Sequence, residues 1–215
     1  MIKKMLVIST LMLSLFTFSL VAQQSNPTTD YYLAGKPQGS WEFGLQFNQV
    51  KMDNNTAKTT KGSLKATPAN RNSEGDAVRL VWKPRGVKDE WGGVNKNVLT
   101  ANILNTYTVA NLLPYKDKGV LLLEMKVNKA PRENVELSME SNWDWQTRST
   151  FALKNALKRM PKGEWAMLPI PLSCFNKSDF DFAKVTSPFI LYTSGKMDIE
   201  ISSIRVVQTD NVLTC

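Results

Sequence analysis

The stretch NWDWQTR (142–148) sets two tryptophans one residue apart among an acid, an amide and a guanidinium. Flat aromatic faces cover apolar surface such as the C–H side of a sugar ring, while Asp144, Gln146 and Arg148 offer acceptors and donors to hydroxyl groups. Binding sites of this kind combine apolar area with a few fixed polar groups. If the segment is extended, alternation puts Trp143 and Trp145 on one side. The other reading packs one or both rings under the loop as satellite core, because tryptophan is seldom left exposed without a reason. Glu140 and Arg79 face away from the apolar sides of their strands and are placed to join the same site, although each is equally a charge on a solvated face. A second loop, KDEWGGVN (88–95), adds Trp91 at the expected sheet edge, with Gly92 and Gly93 suited to a turn. No cofactor is expected. Calcium is the one ion to consider, through Asp89, Glu90 and backbone carbonyls, but the spaced acids of an EF-hand are absent.

Other chemistries are excluded by what the chain lacks. It has 215 residues and no histidine, which removes Ser-His-Asp and Cys-His catalysis and every imidazole metal site. No phosphate-cradling glycine loop, nucleophile elbow or paired-carboxylate motif is present. The net charge is +8, yet the cations are interspersed with acids. The densest group, Lys154 to Arg159, holds three basic residues at helical spacing and reads as a solvated face, so no nucleic-acid partner is expected.

The elements that must position these residues are strands. After residue 40 the dominant period is two: Trp41, Phe43, Leu45 and Phe47 alternate with Glu42, Gly44 and Gln46. Val78, Leu80 and Trp82 repeat the pattern, as do Leu121 to Val127, then Val135, Leu137 and Met139, then Phe189 and Leu191, then Ile199 and Ile201. Many short strands between Gly, Pro, Asn and Asp clusters predict an all-β antiparallel sandwich. FALKNALKRM (151–160) is the one helical stretch, stopped by Pro161 and Gly163. The polar segment from Met52 to Arg71 reads as a hairpin tip or mobile loop around a short strand at 63–67. Trp41, Trp82 and Trp165 fit core positions, and the five tyrosines read as core or rim. In EWAMLPIPLSCFN (164–176), Trp165, Met167 and Pro169 share a face, and Pro169 and Pro171 mark an edge or a strand end where no donor is needed.

Residues 1–22 have a basic start, an apolar stretch and Ala22 before Gln23, the pattern of a secretory signal peptide, with no lipid-attachment cysteine at 23. The expectation is therefore a periplasmic or secreted protein with no membrane span after processing, a loose lead-in over 23–37 and one domain over 38–215. Cys174 and Cys215 are the only cysteines of a chain bound for an oxidising compartment, and count and compartment together predict a disulfide worth about 4 kcal/mol on the chain-entropy model.

From Glu74 onward the blocks EGDAVRLVW, LEMKVNKAP with VELSM, EWAMLPIPLSCF and KVTSPFILYTSGKMDIEISSIRV resemble, in this order, the galactose-binding-like C-terminal domain of ExoP-type exo-β-glucanases, family 3 glycoside hydrolases. The resemblance implies a jelly-roll β-sandwich in a carbohydrate-associated setting, without catalysis, because the reacting carboxylates of those enzymes belong to other domains. Two departures stand out. Here the module follows a leader instead of a catalytic region, and where relatives often carry a cysteine pair this chain has ESNWDWQTRS.

The expected function is a non-catalytic module that binds a polysaccharide or oligosaccharide, with β-glucan the first class to try. Trp143, Trp145 and Trp91 would stack, and Asp144, Gln146, Arg148 and Glu140 would read hydroxyls. The alternative is a structural or docking subunit of an envelope or polysaccharide-utilisation assembly that binds no sugar. A glycosidase is the least favoured, since no two carboxylates at hydrolytic separation can be nominated.

Overall fold

The computed structural model describes residues 26–84, 99–211 and 214–215. In chain order the strands are β1 (Asp30–Leu33), β2 (Lys36–Pro37), β3 (Glu42–Leu45), β4 (Val50–Lys51), β5 (Ala57–Lys58), β6 (Leu64–Ala69) and β7 (Ala77–Trp82). They continue with β8 (Ala101–Leu104), β9 (Gly119–Lys129), β10 (Val135–Ser141) and β11 (Asp144–Ala152). A short α-helix, α1 (Lys154–Arg159), precedes β12 (Trp165–Pro171), β13 (Val185–Thr193) and β14 (Met197–Gln208).

These strands form two antiparallel sheets, as the period-two pattern predicts. One is eight-stranded, in the order β12-β9-β14-β7-β6-β5, with β1 pairing β14 and β2 completing it; the other is six-stranded, β11-β10-β13-β8-β3-β4. The long strand β14 lies against β9 on one side, while its other side is shared between β7 at Met197 to Ile201 and β1 at Ser203 to Arg205. The apolar halves of the alternating runs meet between the sheets: Leu121, Leu123, Met125, Ile199 and Ile201 from one, Leu137, Met139, Phe189 and Leu191 from the other. Burying each such side chain is worth roughly 1.5–3 kcal/mol, and this core holds the sheets face to face.

Several sequence expectations are corrected by packing. The lead-in is not loose where it is described, because Tyr31 and Tyr32 of β1 are fully buried. Tyr31 packs edge-on to Trp41 and Tyr32 to Phe43, with ring centroids 4.9 and 5.1 Å apart. Burial pushes both phenols up, and the Tyr32 hydroxyl donates to Asn55 Oδ1 at 2.6 Å. The polar stretch around Asn55 is thereby built into the fold, since the Asn55 amide also donates to the Gly35 carbonyl at 2.8 Å. The helix is shorter than its pattern: Phe151 and Ala152 are claimed by the β10–β11 ladder, opposite Leu137 and Glu136, and only Lys154–Arg159 coils. Its apolar face is as read, with Leu153 and Leu157 buried and Ala156 and Met160 packed on the core.

Strand β12 pairs with β9 through both prolines, Pro169 opposite Leu122 and Pro171 opposite Val120, so pairing does not stop at the first of them. An edge strand tolerates this because the missing donors need no partner. Trp165 is only partly buried and lies under the Lys126 ammonium, 5.3 Å from its ring, instead of in the core. Beyond β12 the predicted bridge is present. Cys174 and Cys215 are joined with their Cα atoms 5.6 Å apart across 41 residues, fixing the tail beside the 3-10 turn Leu172–Cys174.

Candidate functional site

The β10–β11 connection shows how the sequence builds an exposed aromatic turn. Ser141 pairs with Asp144, so NWDWQTR is not a loop: Asn142 and Trp143 form a two-residue hairpin turn and Asp144 opens an edge strand. Both turn residues have positive φ, 58° and 54°, as a type I′ turn requires. Asparagine adopts that conformation readily; tryptophan does not, and must be held there. It is held by two bonds, its backbone N–H to Thr186 Oγ1 at 3.2 Å and its indole N–H to the Asn105 carbonyl at 2.8 Å. The Thr147 hydroxyl braces the turn from within, accepting from Ser141 N–H and donating to the carbonyls of Ser141 and Asp144.

The rings themselves stay in water. Trp143 is 51% exposed and Trp145 67%, which decides between platform and satellite core in favour of exposure. Asp144 and Gln146 are exposed beside them. Asp144 Oδ1 accepts from the Gln146 N–H at 2.8 Å, and the Gln146 carbonyl accepts from Lys177, leaving the Gln146 side-chain amide to the solvent.

A further aromatic residue was missed at the sequence level. Tyr107 is 80% exposed, and the same residue that receives the Trp143 indole positions it. Asn105 is buried at the exit of β8; its Oδ1 accepts from the N–H groups of Tyr107 and Thr108 at 2.9 and 3.0 Å, and its amide donates to Ser40 and Thr108. One buried asparagine thus fixes the chain carrying Tyr107 and the indole of Trp143. The sequence signal available was Asn105 followed at two and three residues by Tyr107 and Thr108, the pattern of an asparagine side chain capping its own downstream backbone. Tyr107 also lies near the Lys51–Glu42 pair of β4 and β3. The hydrogen bond and charge of Glu42 raise the Lys51 ammonium, with a smaller contribution from the Tyr107 phenol.

Glu140 and Arg148 do come together on this sheet, but as partners of each other, with Arg148 Nε 2.7 Å from Glu140 Oε2. The guanidinium is capped by the Phe47 ring, 4.1 Å from its centroid. Phe47 was expected to continue the apolar face of β3. Instead Gln46, Phe47 and Asn48 all turn to positive φ, 54°, 51° and 60°, and fold back over the sheet. Non-glycine residues in that region cost of the order of 1–3 kcal/mol each and persist where the surroundings over-determine them. Here Asn48 Oδ1 accepts from Asn102 at 3.1 Å, and Gly44 makes room, since a Cβ there would sit 2.5 Å from that same oxygen.

Arg79 does not join the site. Strand β7 belongs to the other sheet, where Arg79 clamps Asp198 through Nε at 2.9 Å and Nη2 at 2.6 Å. Burial pushes the Asp198 carboxyl up, but the hydrogen bonds of Arg79 and Asn128 and the charges of Arg79 and Lys126 outweigh it and hold the carboxyl below the usual range. Trp91, Asp89 and Glu90 lie outside the described residues. Among the described residues no group of three or more carboxylate, imidazole or thiol side chains is gathered to hold a metal, and no helix is long and apolar enough to cross a membrane.

Comparison with known proteins agrees with this architecture. The profile of the family Exop_C, described as galactose-binding domain-like, matches residues 40–206. The extra C-terminal domain of the exo-1,3/1,4-β-glucanase ExoP from a Pseudoalteromonas species superposes with a TM-score of 0.60 at 16% identity, covering 86% of this chain and 96% of that domain. Against the larger ExoP chain the TM-score is again 0.60, at 17% identity, over 87% of this chain and 21% of that one. A family 30 carbohydrate binding module matches with a TM-score of 0.50 and 15% identity, covering 81% and 85% of the two chains. The likeness is to non-catalytic domains and not to a catalytic one. No curated protein matches the chain in sequence.

Proposed function

The chain belongs to the Exop_C family of galactose-binding domain-like modules, and on that premise we propose that it is a secreted, non-catalytic protein that binds glycan chains, with β-glucan the first class to test. One observation carries this reading: Trp143, Trp145 and Tyr107 are exposed, while Asn105 accepts from the Trp143 indole N–H and from the Tyr107 backbone N–H, so the Trp143 ring and the chain carrying Tyr107 are presented in fixed positions. A preorganised aromatic surface loses little conformational freedom when a ligand covers it, and so keeps most of the contact energy as affinity. Asp144 and the Gln146 amide stand beside the rings as hydroxyl partners. Support for the ligand class comes from the carbohydrate binding module and the glucanase domain that share the fold. The leader-like residues 1–22 and the Cys174–Cys215 bridge support export to an oxidising compartment.

The test is affinity electrophoresis in laminarin, lichenan, xyloglucan and xylan, run beside a variant carrying Trp143→Ala and Trp145→Ala. Retardation of the native protein in at least one polymer, lost in the variant, is the expected result. A native protein that migrates unretarded in every polymer would remove glycan binding and leave the docking role.

A further inference from the structure

The opposite sheet carries a feature that glycan stacking at Trp143 does not use. Lys58 of β5 and Lys65 of β6 stand directly across from each other in the ladder. Like charges placed so are destabilising. Their side chains converge over Gly62: a Cβ at that position would meet Lys58 Cε at 2.7 Å and Lys65 Cε at 3.5 Å, so the turn glycine leaves room for both. Lys83, whose N–H donates to the Ser63 carbonyl at 2.6 Å, brings a third ammonium to the same end of β7. None of the ion pairs or hydrogen bonds of the described residues neutralises Lys58, Lys65 or Lys83.

Lys65 and Lys83 line a groove of about 330 Å³ together with Gly62, Thr67, Arg79, Val81 and Asp198, and Lys58 stands at its margin, across the ladder from Lys65. Arg79 is fixed at this groove by Asp198, and its bonds to that carboxylate leave Nη1 uncommitted. Edge protection accounts for part of this, because lysine on an edge strand deters pairing with other chains. It accounts for Lys58 alone: β6 and β7 are interior strands of the sheet, and protection does not require the convergence of two ammonium groups.

We propose that Lys58, Lys65, Lys83 and the Asp198-fixed Arg79 form a second site, which takes the carboxylate or sulfate groups of an acidic polysaccharide. An anion lying between Lys58 and Lys65 turns a repulsive cross-strand pair into an attractive triad, and the guanidinium offers a planar donor to the same oxygen groups. A polysaccharide is favoured over an anionic membrane because, among the described residues, none of the exposed large hydrophobics, Tyr107, Val109, Leu113, Trp143, Trp145 and Met167, lies on β5, β6 or β7 to enter a bilayer. This site is independent of the aromatic one, so either can fail without the other.

The experiment uses the full mature chain in affinity electrophoresis with polygalacturonate, dextran sulfate and neutral dextran, over a salt series. The expected result is retardation in one or both acidic polymers and none in dextran, weakening as salt rises. A variant with Lys58→Gln, Lys65→Gln and Lys83→Gln should bind at least tenfold more weakly. A charge-matched variant, Lys154→Gln, Lys158→Gln and Arg159→Gln on α1, should bind as the native protein does. The proposal is overturned if the α1 variant loses as much affinity as the groove variant, which would make binding a matter of net charge. It is also overturned if no acidic polymer binds, or if phosphatidylglycerol vesicles compete for the protein as well as the acidic polymers do.

Discussion

The two outer faces of the sandwich share a backbone architecture and differ in how their side chains are satisfied. On the six-stranded sheet, the hairpin tip presents apolar rings, and the Trp143 indole N–H is already bonded to Asn105. On the eight-stranded sheet, charges answer charges across the strands: Arg79 with Asp198, Lys126 with Glu200, Arg71 with Glu124, and Asn128 bridging Asp198 and Glu200. Over the rings of the first face water covers hydrocarbon, and a ligand that displaces that water gains. The second is neutralised in part by these pairs, and its end with Lys58, Lys65 and Lys83 has no such pair among the described residues. A face is therefore read by what its neighbours leave unsatisfied, and strand order alone does not tell it.

The widest separation between the faces comes from removing the rings. Trp143→Ala with Trp145→Ala should weaken glycan affinity about a hundredfold, roughly 2.7 kcal/mol, in isothermal titration calorimetry. Arg79→Ala on the other face should leave that affinity unchanged. Next in size, Asn105→Ala strips the Tyr107 and Thr108 N–H groups of their acceptor. Urea unfolding should show a loss of about 2 kcal/mol, with glycan affinity falling although no contacting ring has been removed. Smaller still, Asp198→Asn should cost about 1 kcal/mol of stability, since Arg79 is partly exposed and solvent screens the pair. It should leave glycan binding alone and strengthen retardation in dextran sulfate by freeing the guanidinium.

The smallest effect concerns pH. Asp198 and Asp76 both titrate below their ordinary range. For Asp76, burial pushes the carboxyl up but is outweighed by the N–H groups of Arg71, Asn72 and Ser73 and by the Ser73 hydroxyl. A carboxyl depressed in the folded state stabilises fully above its unfolded value, about 4, and that contribution is lost as pH falls through the folded value. Thermal melts should therefore lose midpoint below about pH 4, and Asp76→Asn should flatten that loss. The indoles of Trp143 and Trp145 carry no ionisable group, so glycan affinity should stay level from about pH 5 to 8.

Sheet membership explains much of what the sequence left illegible. Alternation in VLLLEMKV and VELSM gives strands and their buried faces, because burial on one face writes itself in period two. It does not say which sheet a strand joins, so Arg79 and Glu140 looked equivalent although β7 and β10 lie in different sheets. Tyr31 and Tyr32 were not recognised as core because β1 has only four residues and finds its partner, β14, about 170 positions away. Phe47 was misread because its departure from the strand depends on Asn102, Gly44 and Arg148, which the alternation does not register. The disulfide was legible from cysteine count and compartment. The exposure of Trp143 was not, since it rests on the distant residues Thr186 and Asn105.

The central claim is that a glycan rests on the rings held at the β10–β11 turn, and the most direct measurement follows the indole N–H signals of ¹⁵N-labelled protein by NMR as a laminarin oligosaccharide is added. The account predicts that the Trp143 and Trp145 signals move and saturate together, while those of the buried Trp41 and Trp82 stay in place. Saturable shifts elsewhere with Trp143 and Trp145 unmoved would contradict it.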